Sequence, residues 1–229
     1  VEEFGDPLLK VYQEVDSGVG ELLDVAGDDL NMVIVAGLSM EEKVSCNSML
    51  DQMLWEIDIH DRRQAGQPFP RQGERKKRRF FAIPHTHLSG AIRIHLAGRE
   101  SYGIVEQGEE YEALLELVQQ RLSTTVNTAS GESVISHFIP IHKKYSGSQV
   151  NELPDLFVVW KREQPIFEVS SPYFESLKNR THDVLDARSG DHTGEAKLYS
   201  NVESLAGENG VINVEDIAGH LVDLITEKG

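Results

Sequence analysis

Asn31-Met32-Val33-Ile34-Val35-Ala36-Gly37-Leu38-Ser39-Met40 is the stretch on which the fold turns. Its centre, Met-Val-Ile-Val, is apolar without alternation. A strand wet on one side alternates apolar and polar residues, whereas a strand covered on both faces of a parallel sheet does not. Upstream, Asp6-Pro7 reads as a helix N-cap followed by proline in the first helical position. Leu8, Tyr12, Val15, Val19 and Leu22 then recur at helical spacing, and Gly27 is a natural stop. Such a helix is expected to pack one face onto a sheet. A helix followed by a doubly covered strand is half of an α/β repeat. The expected fold is therefore α/β, built on a parallel sheet. The loop from Ala36 to Met40 then lies at the C-terminal end of the strand, the edge at which ligands gather in open α/β sheets.

Beyond that loop, Met49, Leu50, Met53, Leu54 and Ile57 predict the next helix, with its methionines as core filler. Residues 65–73 are rich in Gly, Pro and Gln. Arg75-Lys76-Lys77-Arg78-Arg79 follows, a basic run in an acidic chain. One reading is a site for phosphate, another anion or a nucleic acid. The other, favoured for so short a run, is a solvated loop face. Pro84-His85-Thr86-His87 holds two histidines that need a third ligand to share a metal; otherwise they belong to an exposed loop. Ala91 to Leu96 alternates and predicts a half-exposed strand. Glu109 to Leu122 predicts a helix with Tyr111, Leu114, Leu115, Val118 and Leu122 on its apolar side. Val134 to Ile141 and Ile166 to Val169 read as strands, and Leu156 to Trp160, introduced by Pro154-Asp155, as a second fully buried one. Asn213-Val214-Glu215-Asp216 resembles a capping box, continued by Ile217, Leu221 and Leu224 in a C-terminal helix.

The chain of 229 residues is 39% hydrophobic and 26% charged, enough for a packed core. A net charge of −16 excludes general nucleic-acid binding, because phosphate backbones are repelled. No apolar run reaches the length of a membrane span, and no signal peptide is visible. Cys46 stands alone, which excludes an intrachain disulfide and a cysteine-cluster zinc site. A cytoplasmic location is expected, although a chain that begins at Val1 leaves an upstream segment open. Asn179-Arg180-Thr181 fits a glycosylation sequon and is read as chance.

Arg188-Ser189-Gly190-Asp191-His192-Thr193-Gly194-Glu195 looks most like chemistry. It sets a carboxylate beside an imidazole on a Gly-punctuated turn. The pair can ligate a divalent metal, or Asp191 can orient His192. The plain alternative is a turn in which Asp191 caps backbone amides and His192 is solvated.

Taken together, several stretches resemble the alkaline phosphatase superfamily, in its branch of type I phosphodiesterase and nucleotide pyrophosphatase-like hydrolases. Asp6 to Tyr12 with Asp16, Val19-Gly20 and Leu22-Leu23 resembles the helix before that family's central Asp-His strand. Gly90 to Glu100 with Gly103-Ile104-Val105 resembles its inserted strand and loop. Pro154 to Trp160 resembles its proline-aspartate-leucine strand, Arg188 to Glu195 its Gly-Asp-His-Thr loop, and Val214 to Ala218 its terminal helix. The resemblance implies one alkaline-phosphatase-like α/β domain over residues 1–229, the C-terminal part of the family fold, with a central mixed, mainly parallel sheet flanked by helices and an insert-like segment at about 61–100. It implies hydrolysis or transfer at phosphate esters with two divalent metals, commonly zinc. A Thr or Ser nucleophile is activated by one metal while the pair clamps the attacking and leaving oxygens.

Carried over by position, His192 falls on a metal-ligand histidine, and Asp191 beside it shapes or supports the loop. The family's Ser-Asp-His-Gly-Met motif falls on Ala36 to Met40. Gly37 therefore stands where a metal aspartate belongs and Leu38 where a metal histidine belongs, and neither side chain binds a cation. The nucleophile, an early Asp and an Asp-x-x-x-His pair belong to the family's N-terminal half, and the sequence is expected to begin just after them. A catalytic zinc needs about three protein ligands, and only His192 is assigned. The expectation is a catalytically impaired or partial family member with no catalytic residue of its own and no zinc bound by the chain alone. A phosphoester or other anionic small molecule, an N-terminal complement or a homo-oligomer are the expected partners, with no nucleic acid and no membrane. A single-metal hydrolase that activates water and draws on His192, Asp191, His182 or Asp183, with His85 and His87 if the basic loop folds over, is one alternative. A non-enzymatic module that binds an anionic partner through Arg75, Lys76, Lys77, Arg78 and Arg79 is another.

Overall fold

The computed structural model describes residues 5–27, 30–42, 44, 46–71, 73–85, 89–178, 190–202, 205, 207 and 209–226. In chain order the elements are α1 (Pro7–Ala26), β1 (Val33–Ala36), β2 (Met40–Glu42), α2 (Asn47–Gln64), β3 (Phe80–Ile83), β4 (Ser89–Ile94), α3 (Glu109–Leu122) and β5 (Val126–Asn127). They continue with β6 (Ile135–Pro140), α4 (Ile141–Lys144), β7 (Leu156–Trp160), β8 (Glu168–Ser171), β9 (Phe174–Lys178), β10 (Gly190–His192), β11 (Lys197–Ser200) and α5 (Val214–Thr226). Two compact units result. The larger is Ser39–Gly194; the smaller joins Val1–Leu38 to Glu195–Gly229. The segment at about 61–100 lies inside the larger unit.

The larger unit holds the core. Its main sheet runs β3-β4-β7-β6, a second runs β5-β8-β9, and β10 pairs with β2. α2 lies against β3, β4, β9 and α3. Its stripe of Met49, Leu50, Met53, Leu54 and Ile57 is buried to 2% exposure or less, against Phe80, Ile92, Ile94, Leu156, Val158 and Trp160 of the sheet. Full burial of such a side chain is worth about 1.5–3 kcal/mol, so this stripe carries much of the unit's stability. Leu114, Leu115, Val118 and Leu122 of α3 join the same cluster. The expected helix from Glu109 to Leu122 thus forms with the expected buried face. Gly90 is required by this packing: a Cβ there would sit 2.5 Å from Leu50 Cδ2 and 3.0 Å from Trp160. Gly103 is tighter still, since a Cβ would lie 2.0 Å from the Leu96 carbonyl oxygen.

One carboxylate ties the sheet to α3. Asp155, just ahead of β7, is 3% exposed and accepts from the Ile94 amide at 2.6 Å. It also accepts from both terminal nitrogens of Arg99 at 2.7 Å and from the Tyr111 hydroxyl at 2.7 Å. Burial, reinforced by that carboxylate, pushes the Tyr111 phenol well above its usual pKa. Arg93, on β4, donates to Glu100 and to the carbonyls of Asn151, Glu152 and Leu153.

The mainly parallel central sheet expected from the sequence is not formed. All strand pairs among the described residues are antiparallel, and the one parallel contact is the isolated bridge from Leu96 to Val105. The unalternating run Met32 to Val35 misled for a physical reason. An apolar run reports on apolar surroundings and carries no record of its partner's direction. β1 pairs antiparallel with β11, Val33 opposite Ser200 and Ala36 opposite Lys197, and Val35 is 48% exposed. β7 corrects the second such reading. Leu156, Val158 and Trp160 are buried, whereas Phe157 and Val159 on the other face are only partly covered.

In the smaller unit, Asp6 caps α1 by accepting from the Leu9 amide at 3.1 Å, Pro7 occupies the first turn, and Gly27 at φ 80° ends the helix. The predicted boundaries hold, but the predicted packing does not: neither α1 nor α5 has a buried residue. Among the described residues of this unit, Leu205 alone is buried. No helix among the described residues is long and apolar enough to cross a membrane.

Candidate functional site

β10 brings the Gly-Asp-His stretch beside Ser39 and Met40, the last two residues of the loop that the sequence marked as a ligand edge. Gly190 pairs with Glu42, Asp191 with Glu41 and His192 with Met40. The Thr193 amide donates to the Ser39 carbonyl at 2.9 Å, which extends the ladder by a rung. Ser39 directly follows Gly37-Leu38 in the chain. Two stretches remote in sequence, assigned to one site by resemblance, are thus hydrogen-bonded neighbours at Ser39-Met40 and His192-Thr193. Gly190 suits its place, since a Cβ there would lie 3.0 Å from Met40 Cε and 3.2 Å from the Glu41 carbonyl. Arg162 locks the pair: its guanidinium donates to the His192 carbonyl at 3.3 Å and forms an ion pair with the Glu41 carboxylate. His192 itself is exposed. The side chain of Asp191 lies outside the described residues, as do His87, His182, Asp183, Arg188 and Ser189.

These residues do not fit a two-zinc site. Gly37 and Leu38 offer no donor atom. Glu41, the nearest described carboxylate on the paired strand, already neutralises Arg162. Among the described residues no three His, Cys, Asp or Glu side chains converge as a metal cluster.

His85, His95 and His142 serve packing or hydrogen bonding. His85 stacks on Phe157 with ring centroids 4.6 Å apart, and burial lowers its pKa. His95 Nδ1 donates to the Arg78 carbonyl at 2.7 Å, and His142 lies 3.3 Å from Glu112.

The basic run is largely occupied within the unit. Arg78 is 2% exposed and donates to the Asp51 carboxylate at 2.8 Å and the Asp51 carbonyl at 3.0 Å. Arg79 donates to Asp58 at 2.6 Å, and Arg62 shares the same carboxylate at 3.0 Å. Lys77 pairs with Glu74 at 2.6 Å, and the Lys76 ammonium sits 3.9 Å above the Tyr102 ring. The Arg75 side chain lies outside the described residues. The run therefore bolts β3 and the turn before it onto α2. Sequence reading missed the other half of the bolt, Asp51 and Asp58. The available signal was their position in α2, where Asp58 adjoins Ile57 on the apolar stripe; a buried carboxylate there demands a cation.

No family model, curated protein sequence or solved structure matches this chain.

Proposed function

We propose that this chain is a catalytically impaired relative of the metal-dependent phosphoester hydrolases it resembles, with His192 marking an inherited ligand position and no turnover of its own. One observation carries the proposal. The β10–β2 ladder sets His192-Thr193 against Ser39-Met40, next in sequence to Gly37-Leu38, and the resemblance requires these two stretches to meet. A chance Gly-Asp-His turn has no reason to pair with that particular loop. The impairment rests on chemistry. Hydrolysis of this class needs two clamped cations and an activated hydroxyl. Here two ligand positions are glycine and leucine, and the loop carbonyl of the surviving histidine is taken by Arg162.

The test combines zinc analysis of the purified protein with hydrolysis of bis(p-nitrophenyl) phosphate in added Zn²⁺, Mn²⁺ or Mg²⁺. The expected result is substoichiometric zinc and turnover indistinguishable from a blank, both unchanged in His192→Ala. Stoichiometric zinc with metal-dependent turnover that His192→Ala abolishes would overturn the proposal.

A further inference from the structure

Among the described residues, the smaller unit has two helices, a strand pair and a single buried side chain, that of Leu205. Leu8, Tyr12, Val15 and Leu22 recur along α1 at helical spacing, and every one is more than half exposed. On α5, Ile225 is 77% exposed and Leu221 36%. In proteins, most helix stability comes from packing an apolar stripe, and two-stranded sheets are marginal alone. These stripes are therefore suited to lie under something. β1 and β11 form a sheet of two, so each also presents an open edge.

Charge selects what covers them. Residues 1–38 and 195–229 hold sixteen Asp and Glu against three Lys and Arg, so they carry thirteen of the chain's sixteen net negative charges on about a third of its length. Glu14, Asp16, Glu21 and Asp24 flank the stripe of α1, and Glu215, Asp216 and Asp223 that of α5. A second copy would bring thirteen more negative charges to the same surface. An anionic bilayer would be repelled for the same reason. Interfaces with an apolar centre and a charged rim are matched by partners of opposite rim charge.

We infer that the apolar faces of α1 and α5 are a docking surface for another polypeptide whose own apolar face is rimmed by lysine and arginine. Docking removes the stripes from water while the acidic flanks meet basic side chains. The inference is independent of whether the β10–β2 loop descends from a metal site.

The experiment uses the whole chain and three probes: a 20-residue amphipathic Leu/Lys helix, its Leu/Glu counterpart, and vesicles of phosphatidylcholine with phosphatidylglycerol. Hydrogen exchange reads the amides of α1 and α5. The Leu/Lys peptide is expected to slow exchange in both helices, with affinity falling several-fold between about 50 and 500 mM salt. Tyr12→Ser/Val15→Ser/Leu22→Ser is expected to weaken that binding by about tenfold or more. An unchanged helical circular dichroism signal in the free variant checks that α1 keeps its helix. Equal binding of the Leu/Glu peptide, indifference to the triple substitution, or α1 and α5 amides already protected in the free chain would each overturn the inference. So would self-association at micromolar concentration, or capture by vesicles in place of the peptide.

Discussion

Replacing Asp155 by alanine removes the acceptor for four hydrogen bonds at once. The Ile94 amide, two nitrogens of Arg99 and the Tyr111 hydroxyl all converge on its two oxygens at 2.6–2.7 Å. Arg99 is 13% exposed and cannot regain full hydration where it stands. Breaking a buried pair by deleting one member costs about 3–5 kcal/mol, because the remaining charge is stranded. Glu100, 3.1 Å from Arg99, compensates in part, so the lower end of that range applies, about 3 kcal/mol. A domain with 5–15 kcal/mol in total would lose a substantial share, so a clear drop in the urea midpoint is expected. Trp55 and Trp160, both in the larger unit, provide the fluorescence signal. Removing both charges distinguishes a stranded cation from a mere cavity. Asp155→Leu/Arg99→Met should recover much of what Asp155→Leu alone loses, since no buried charge is left over. A loss below about 1 kcal/mol for Asp155→Ala, or a double variant no better than the sum of its singles, would refute the assignment of Asp155 as the unit's buried tie.

Three further outcomes are expected. The raised pKa of Tyr111 means that, above the ordinary phenol value of 10, the unfolded chain releases a proton that the folded chain keeps. Stability is therefore full below pH 10 and falls as pH rises; equilibrium unfolding from pH 8 to 11 should show the decline, and Tyr111→Phe should flatten it. Cys46 is fully buried and its thiol is pushed to a higher pKa by burial, so thiol reagents should label it only at the rate at which the larger unit opens. Labelling as fast as a free thiol would place it at the surface. Gly103→Ala must displace the Leu96 carbonyl, and a thermal melt should show a loss of about 2 kcal/mol or more.

Helix boundaries were legible where single residues act through the backbone: Asp6, Pro7 and Gly27 delimit α1 because capping, fixed φ and positive φ are local properties. The buried faces of α2 and α3 were legible because their spacing matches one helical stripe. Strand direction was not. Met32 to Val35 and Leu156 to Trp160 read as doubly covered parallel strands, yet both pair antiparallel, and hydrophobicity is the same in either case. The role of Arg78 and Arg79 was hidden for a related reason. A run of charges looks solvated until the carboxylates that bury it, Asp51 and Asp58, are brought near by folding. At the candidate site, the sequence singled out both loops, and their meeting at His192 and Met40 depends on a ladder that no local pattern announces. Arg162, which fastens that ladder, follows the buried end of β7 and carried no sequence signal of its own.

The ladder of β2 and β10 also has a topological meaning. It is the gate through which the chain enters and leaves the larger unit, and its two sides lie one hydrogen-bonded rung apart. A segment whose termini are clasped in this way behaves as a cassette. It can be excised, or spliced into a host loop, without pulling the host's cut ends apart, which is the geometry that tolerated domain insertions share. Residues 39–194, with their own core and buried ties, are therefore expected to fold when expressed as an isolated piece. The acidic flanks on either side, paired through β1 and β11, read as one host sequence interrupted at a single point.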